Sequence, residues 1–322
     1  MAEPRFQKLS TNGISLRAVV EGRGPLCILV HGWPESWYSW RHQIGPLVAA
    51  GYRVCVPDVR GYGGSDKPHP VEAYAMAEIN RDVVGLIDAL GEEQAILIGH
   101  DWGAPIVWTT SIVHRPRVRA VVGLSVPHLG RGKGPLIETY KKLYKDRFFY
   151  QLYFQEEGVA EAELEADVRT ALRKIYFNAS GDVTEEQRVF TGQKPASAKL
   201  LDGLRDPDPV PAWLTDADID YYTGQFEQSG FRGPINRYRT SERDFNDLPQ
   251  LSTEHVTQPA LFIAGDRDPV LNFVPGIKLS DLMDRWYDDL RGKVLIEGAG
   301  HWVQQERPEE TNQALIGFLK GL

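Results

Sequence analysis

The 322-residue chain is 42% hydrophobic and 25% charged, with a formal net charge of −8 at pH 7. This composition is typical of a soluble globular protein, and the length fits one large domain or a core with a substantial insertion. The negative charge argues against nucleic acid or an anionic membrane surface as a partner. The first residues show no signal-peptide pattern, and no apolar run approaches the ~20 residues of a membrane helix, so we expect a cytoplasmic protein.

The two cysteines, Cys27 and Cys55, both fall in strand-like apolar runs. This placement favours buried free thiols over a disulfide. The sequence contains no CxxC motif and no His/Cys spacing typical of a metal site. We therefore expect neither a metal nor a cofactor.

The first third of the chain alternates strand and helix patterns. Short apolar runs that end in turn residues predict buried strands in PLCILVHG, YRVCVPDVRG, QAILIGHD and VRAVVGLSVP. Between them, AYAMAEINRDVVGLIDALG is typical of an amphipathic helix that stops at Gly91, and GAPIVWTTSIVHRP of a helix that Pro116 ends. Such alternation predicts an α/β fold with a mainly parallel sheet.

After about residue 130 the chain becomes aromatic and charged, with helical patterns. We predict long helices in ETYKKLYKDRFFYQLYFQ and VAEAELEADVRTALRKIYF, and a helix N-cap in TDADI. Strand patterns return after about residue 246 with QPALFIAGDRDP and KVLIEGAGHW, and a last helix begins near Pro308. The predicted domains are an α/β core of residues 1–130 and 246–322 and an inserted helical lid of residues 131–245.

The segment GHDWG, residues 99–103, joins a predicted strand to a predicted helix. Its spacing matches a nucleophile elbow, in which small residues flank a strained turn that exposes the nucleophile. The two glycines alone are weak evidence, but the flanking elements and the partners later in the chain favour Asp101 as a nucleophile. Backbone N–H groups at the start of the helix would keep this carboxylate ionised in apolar surroundings.

The segment VHGWP, residues 30–34, follows an earlier strand, which is where an elbow of this kind finds a second oxyanion donor. We predict that the backbone N–H groups of Trp33 and Trp102 form the oxyanion hole. His31 is interpreted as a turn residue that hydrogen bonds its own loop. His100 is interpreted as an orienting or packing residue rather than a reactive one.

A nucleophile at an elbow needs a base and an acid that orients the base, in the chain order nucleophile, acid, histidine. His301 follows the last predicted strand and is the candidate base. The loop after the preceding strand offers two carboxylates. We predict Asp268 as the acid and expect Asp266 to close the turn through its own backbone.

Aspartate in place of serine at the elbow indicates substitution at carbon. A carboxylate that attacks an alkyl carbon forms an ester, and water activated by His301 can then attack the carbonyl of Asp101. Serine attacking the same carbon would leave a stable ether. The expected substrates carry a leaving group on sp³ carbon, which means mainly epoxides and alkyl halides.

The chain resembles α/β-hydrolases of the soluble epoxide hydrolase family over nearly its whole length. The motifs that carry the resemblance are, in order, HGWPESWYSWRHQ, DVRGYGGSDKP, GHDWGAP, FYQLYFQEEGVAEAELE, SGFRGPINRYR, AGDRDPV and GHWVQQERPEE. The resemblance implies Asp101 as nucleophile, His301 as base and Asp268 as its partner. It also implies two lid tyrosines, Tyr150 and Tyr238.

The two tyrosines can act as acids in epoxide opening, because the reaction expels an alkoxide that is too basic to leave unaided. Phenols with a pKa near ~10 can hydrogen bond the ring oxygen and donate a proton to it. Tyr153 is the local alternative to Tyr150. We further predict that Gln151 and Phe154 line the substrate pocket.

Three other functions compete with epoxide hydrolysis. A haloalkane dehalogenase would share the fold and the aspartate, but such enzymes typically carry Asn where this chain has Trp33, and they lack the tyrosine pair. Fluoroacetate-type dehalogenases place Arg where this chain has Trp102. A silent hydrolase fold that only binds a ligand is disfavoured by the intact nucleophile, acid and base.

The sequence therefore predicts a cofactor-independent epoxide hydrolase that acts on a small lipophilic epoxide and water. We also expect Trp213, Tyr221 and Tyr222 as exposed aromatic residues of the lid, where they would suit a homodimer contact.

Overall fold

The computed structural model describes residues 4–184, 187–188, 194–274 and 276–322. In this part of the chain eight strands form one sheet. The strands are β1 (Phe6–Thr11), β2 (Ile14–Gly22), β3 (Leu26–Val30), β4 (Arg53–Pro57), β5 (Ala95–His100), β6 (Val118–Leu124), β7 (Ala260–Gly265) and β8 (Leu290–Ile296). Their spatial order is β1-β2-β4-β3-β5-β6-β7-β8. The strands β3 to β8 run parallel, and β1 and β2 add an antiparallel edge beside β4.

The α-helices of the described residues fall into two groups. Those of the core are α1 (Arg41–Ala49), α2 (Met76–Ala89), α3 (Gly103–Val113), α11 (Val303–Glu306) and α12 (Pro308–Leu319). Those between β6 and β7 are α4 (Leu136–Leu143), α5 (Tyr150–Tyr153), α6 (Val159–Glu165), α7 (Val168–Ala179), α8 (Asp216–Ser229), α9 (Arg232–Asn236) and α10 (Ser241–Asp247). The predicted α/β fold with a mainly parallel sheet and an inserted set of helices is confirmed.

Helices cover both faces of the sheet, which explains why its central strands are apolar throughout. In β5, Ile96 and Ile98 pack into the cluster that contains Leu47 of α1 and Phe318 of α12. Leu97 points to the opposite face and joins the cluster that includes residues of α2 and α3. Successive residues of a strand alternate between faces, so a strand buried on both sides needs apolar residues at every position.

The parallel strands place the loops that follow them along one edge of the sheet, because all their carboxyl ends lie there. The loops after β3, β5, β6, β7 and β8 contain Trp33, Asp101, Ser125, Asp268 and His301, respectively. The predicted change from lid to core between residues 245 and 246 falls inside α10 (Ser241–Asp247). The exact domain limits stay a prediction.

The two long lid helices predicted from the sequence are each broken. The first ends at Leu143 and resumes as the short helix α5, because the intervening backbone pairs elsewhere: the Phe148 N–H donates to the Lys194 carbonyl at 2.9 Å. The second divides into α6 and α7 at Asp167, whose side chain accepts the Thr170 N–H at 3.0 Å and caps α7. The N-cap predicted in TDADI is confirmed, with Thr215 and Asp218 forming a capping box.

The expectation of three exposed lid aromatics is wrong for Tyr222, which is fully buried and donates to Gln305 Oε1 at 2.9 Å. Tyr221 and Trp213 are partly buried: Tyr221 stacks on Tyr38, and the Trp213 indole donates to Asp182. These contacts occupy the side chains within the chain itself. The lid aromatics therefore provide no support for the predicted homodimer.

Cys27 and Cys55 are free and buried, as predicted. Among the described residues, no helix combines the length and the apolar character needed to cross a membrane.

Candidate active site

Asp101 occupies a sharp turn between β5 and α3. Its φ is +49°, a left-handed conformation that few residues other than glycine, asparagine and aspartate adopt readily. The two neighbouring glycines are required by close backbone packing: a Cβ on Gly99 would lie 2.1 Å from the Gly103 carbonyl oxygen, and one on Gly103 would lie 1.9 Å from that of Val30. The GHDWG motif is therefore a strained elbow that projects Asp101 from the sheet edge.

Replacing Gly103 by Ala should destabilise the fold by about 3 kcal/mol or more, because the backbone that a methyl group would strike cannot move aside as a side chain can. Gly317 of α12 is the matched control, since a Cβ there meets nothing within 4 Å. Gly317→Ala should stabilise the protein by up to about 1 kcal/mol through helix propensity. Denaturant unfolding of both variants measures the difference, and equal free energies of unfolding would contradict the close packing at the elbow.

The structure brings Asp101, His301 and Asp268 together. His301 Nδ1 lies 3.1 Å from both carboxylate oxygens of Asp268, and His301 Nε2 lies 3.2 Å from Asp101 Oδ2. Asp268 is fully buried, and its Oδ1 also accepts the Val270 N–H at 2.9 Å. One imidazole therefore bridges a buried carboxylate and the carboxylate at the elbow, which is the arrangement of an acid, a base and a nucleophile.

Asp101 keeps its charge although it is only 8% exposed. Burial alone would raise the pKa of its carboxyl, but the hydrogen bond and charge of His301, the charge of His100 and the Trp33 N–H lower it, and the net pKa lies below its usual value. The Trp33 N–H donates to Asp101 Oδ1 at 2.7 Å. Trp102, the other predicted oxyanion donor, is the N-cap residue of α3 directly after Asp101.

His301 carries a positive charge in this state. Burial lowers the pKa of its imidazole, but the charge of Asp268 and the hydrogen bonds and charge of the two carboxylates outweigh burial and hold the pKa well above its usual value. Both ring nitrogens face carboxylate oxygens, so both of them donate. Neutralising either carboxylate would lower the pKa of His301.

The backbone of His301 is held by groups that the sequence reasoning did not assign. Its carbonyl accepts from His100 Nε2 at 2.7 Å and from Ser125 Oγ at 2.8 Å. His100 Nδ1 lies 2.8 Å from Glu35 Oε2, so both nitrogens of His100 face acceptors. His100 therefore orients the base, as interpreted from the sequence, whereas Glu35 and Ser125 had no local signal beyond their place after a strand.

Two other predicted residues of the loops have structural contacts. His31 Nδ1 donates to the Gly32 carbonyl at 2.9 Å, and its Nε2 accepts the Val59 N–H at 3.0 Å. Asp266 is exposed, and its Oδ1 accepts the Gly298 N–H at 2.8 Å across the neighbouring loop rather than from its own turn. Neither side chain contacts the imidazole of His301 in these hydrogen bonds.

Tyr150 and Tyr238 of the lid line the same cavity as Asp101 and His301. The cavity, including its mouth, has a volume of about 370 Å³ and an apolar wall that contains Ile175, Ala179, Val270 and Phe273. Tyr153, the local alternative, points to Glu163 and donates to its Oε2 at 2.8 Å.

Burial and the charge of Asp101 keep both cavity tyrosines protonated. Burial raises the pKa of Tyr150 and of Tyr238 well above the usual value, and the neighbouring Asp101 carboxylate raises both further. Gln151 Nε2 donates to the Tyr150 hydroxyl oxygen at 3.0 Å, and the rings of Trp102 and Tyr238 pack edge to face with their centroids 5.2 Å apart. These contacts orient the two phenols.

Gln151 and Phe154, the predicted pocket residues, are not among the side chains that line the described cavity. Phe154 is fully buried behind the wall, with its ring centroid 5.1 Å from that of Trp33 and 5.0 Å from that of Tyr238. Gln151 reaches the cavity through its hydrogen bond to Tyr150. Direct contact of either residue with substrate stays a prediction.

Comparison with known proteins supplies the family. The model of the α/β-hydrolase fold family matches residues 25–308. Epoxide hydrolase A of Mycobacterium tuberculosis is 42% identical over 326 residues, which cover 100% of this chain and 99% of that protein. Epoxide hydrolase B of the same organism is 39% identical over 349 residues, which cover 98% of both chains.

Solved structures of epoxide hydrolases are also similar to this chain. The crystal structure of epoxide hydrolase A from Mycobacterium thermoresistibile has a TM-score of 0.92 at 44% identity and covers 99% of both chains. The epoxide hydrolase from an endophytic Streptomyces has a TM-score of 0.94 at 42% identity, covering 100% of this chain and 96% of that one. The chain with its aspartate elbow therefore belongs to the α/β-hydrolase fold family and, within it, to the epoxide hydrolases.

Proposed function

We propose that the protein converts an epoxide and water into a vicinal diol through a covalent ester on Asp101. The observation that carries this proposal is the position of one ionised carboxylate between a backbone donor, a histidine base and two protonated phenols. The family of the chain supports the same reaction. The roles of the individual residues follow from the chemistry of each step.

In the first step an oxygen of Asp101 attacks one epoxide carbon, and the bond from that carbon to the ring oxygen breaks. Tyr150 and Tyr238 hydrogen bond the ring oxygen, and one of them transfers its proton as the alkoxide forms. Their raised pKa values keep both phenols protonated at neutral pH, so the acid is available before the substrate arrives. The product is a hydroxyalkyl ester of Asp101 and one tyrosinate.

In the second step His301 first gives its own proton to the tyrosinate. The neutral imidazole then removes a proton from water, and the resulting hydroxide attacks the ester carbonyl of Asp101. The Trp33 N–H, which donates to Asp101 Oδ1 at 2.7 Å, stabilises the oxyanion together with the Trp102 N–H. Collapse releases the diol and restores the carboxylate with one oxygen from water. Hydrolysis of an ester to a carboxylate liberates one proton, which stays on His301 and restores its charged form.

Formation of the ester also prepares His301 for its task. The pKa of His301 is raised by Asp268 and by Asp101, and a protonated imidazole cannot act as a base. The ester carries no charge, so alkylation removes the contribution of Asp101 and lowers the pKa of His301. Asp268 remains to orient the ring through Nδ1.

Replacing His301 by Gln should stop the second step while leaving the nucleophile in place. Incubated with styrene oxide, His301→Gln should gain the mass of one substrate molecule, and the ester should persist because no base activates water. Intact-protein mass spectrometry measures the adduct. The double variant with Asp101→Asn is the control, and it should gain no mass.

A series of epoxides of different size guards against a poor choice of substrate. Absence of an adduct with every epoxide in the series, or release of halide from an alkyl halide by the wild type at a comparable rate, would overturn the proposed function. An adduct that also forms in the double variant would place the nucleophile elsewhere.

A further inference from the structure

Glu306 is a buried carboxylate that the reaction steps above do not use. It lies at the end of α11 and is 5% exposed. Its Oε2 accepts the N–H groups of Gly300 and Gly181, each at 2.8 Å, and its Oε1 accepts the Trp302 N–H at 3.0 Å. Gly300 and Trp302 are the two neighbours of His301 in the chain, so one side chain holds the backbone on both sides of the base.

The third donor links this loop to the lid. Gly181 lies just after α7, and in this region the two backbones touch: a Cβ on Gly300 would lie 2.2 Å from the Ser180 carbonyl carbon, and one on Gly181 would lie 2.2 Å from the Gly298 oxygen. The His301 N–H also donates to the Ala179 carbonyl at 2.9 Å. The loop of the base is therefore bound directly to the end of α7, which contributes Ala179 to the cavity wall.

We propose that Glu306 is a positioning residue for the hydrolysis of the ester. It holds His301 at the junction of lid and core, where the imidazole can deprotonate the water that attacks the Asp101 carbonyl. The proposal rests on the proposed function. Three N–H donors on one carboxylate define a rigid peptide segment, and a displacement of a base by about 1 Å can cost roughly 10²-fold in rate.

The carboxylate form is needed for this role. An ionised carboxylate accepts at both oxygens, whereas a neutral acid or an amide presents a hydrogen to a site that contains only donors. Gln in place of Glu306 would therefore leave at least one of the three N–H groups facing another donor. Such a buried mismatch shifts the peptide it faces.

The protonation of Glu306 changes near neutral pH. Burial raises its pKa to about 7, against the lowering effect of the three N–H donors, and the charge of Asp182 raises it further. Other charged groups near the junction act on it as well: Arg188 and Arg267 donate to carbonyls of residues 180 and 181, Arg307 is the next residue, and His301 lies between the two bound peptides. As pH falls through about 7, Glu306 becomes neutral and its hold on the loop weakens.

The test separates the two chemical steps in the variant Glu306→Gln. Rapid-quench mass spectrometry with styrene oxide should show hydrolysis of the alkyl-enzyme slowed by about 10–100-fold, with its formation changed by less than about threefold. The variant should therefore accumulate alkyl-enzyme during turnover. Glu310→Gln, an exposed position in the first turn of α12, is the matched control and should leave both rates unchanged.

The pH profile provides a readout that a purely structural role would not move. In the wild type, the rate of ester hydrolysis should fall at low pH because two groups, His301 and Glu306, become protonated. In Glu306→Gln the fall should reflect protonation of His301 alone. Equal slowing of both steps, or a one-proton acid limb in the wild type, would overturn the proposal, and the second measurement stands even if the variant does not fold. If His301→Gln forms no ester at all, the proposed function has failed instead.

Discussion

Replacing Asp101 by Asn should lower kcat/KM for a reactive epoxide by about 10⁴–10⁶-fold, the loss expected when a nucleophile that acts as part of a triad is removed. An amide has no charge to attack carbon, and it cannot form the ester on which the second step depends. Oxyanion donors, tyrosines and cavity all remain, so substrate binding should persist. The change therefore isolates the nucleophilic role of this one group.

The same substitution should change the free energy of unfolding by no more than about 1 kcal/mol. Asparagine tolerates the left-handed φ of +49° at this position. Its amide oxygen can accept the Trp33 N–H, and its amide nitrogen can donate to His301 Nε2 once that imidazole is neutral. A large loss of activity with little loss of stability would identify Asp101 as reactive rather than structural.

Steady-state kinetics and denaturant unfolding on the same preparations measure both quantities. A single turnover of the wild type in ¹⁸O-labelled water adds an independent check, since the first diol should carry an unlabelled oxygen from Asp101 and the label should appear in the protein. Turnover by Asp101→Asn within tenfold of the wild type, or label in the first diol, would rule out the ester.

The elbow and its partners could be predicted because their signals are local. Gly99 and Gly103 lack side chains where a Cβ would lie only about 2 Å from neighbouring backbone atoms, and such steric demands restrict the sequence at fixed spacing. Asp268 and His301 each follow an apolar strand, and parallel strands bring their carboxyl ends to one edge. Pattern and topology together were enough to assemble the three residues.

The groups that hold His301 could not be predicted in the same way. Glu35 and His100 are 65 positions apart, and Ser125 donates to a carbonyl 176 positions away, so each contact depends on the finished packing of several loops. Glu306 lies only five positions from His301, yet its role depends on which peptide groups its oxygens meet. Hydrogen bonds between a side chain and distant backbone leave no periodic signal in the sequence.

The lid shows the same limit in another form. Its apolar and aromatic spacing predicts helix, but the break before α5 depends on pairing with the segment at Lys194 far along the chain. In the helix that follows the break, Tyr150 lines the cavity whereas Tyr153 hydrogen bonds Glu163. Tertiary contacts decide such details over local propensity.

Replacing Tyr150 and Tyr238 together by Phe should slow alkylation of Asp101 by about 10²–10⁴-fold, the usual contribution of general acid catalysis. The phenols lose only their hydroxyl groups, so the rings still fill the cavity wall and still pack 5.8 Å apart between centroids. Without a proton donor, the alkoxide must leave unaided. Each single variant should show a smaller loss, because the remaining phenol still contacts the ring oxygen.

The double Phe variant should slow formation of the ester, whereas Glu306→Gln should slow its hydrolysis. Tyrosine acts while the epoxide opens, so the double Phe variant should form ester slowly, hydrolyse it at nearly the wild-type rate and accumulate none. Because the pKa of both phenols is raised well above its usual value, the acid form is complete through neutral and mildly alkaline pH. Alkylation by the wild type should therefore show no loss of this acid below about pH 10.

Tyr153→Phe is the matched control, because Tyr153 lies in the same helix and directs its hydroxyl to Glu163 rather than to the cavity. Single-turnover kinetics on the three single variants and the double variant give the alkylation rate for each. We expect Asp101 to be alkylated at the wild-type rate in Tyr153→Phe. The only hydrogen bond of this hydroxyl in the described residues goes to Glu163, which lies outside the site. The prediction is wrong if Asp101 is alkylated at the wild-type rate in Tyr150→Phe but slowly in Tyr153→Phe. Tyr153 would then be the proton donor, and the lid would have to rearrange when substrate binds.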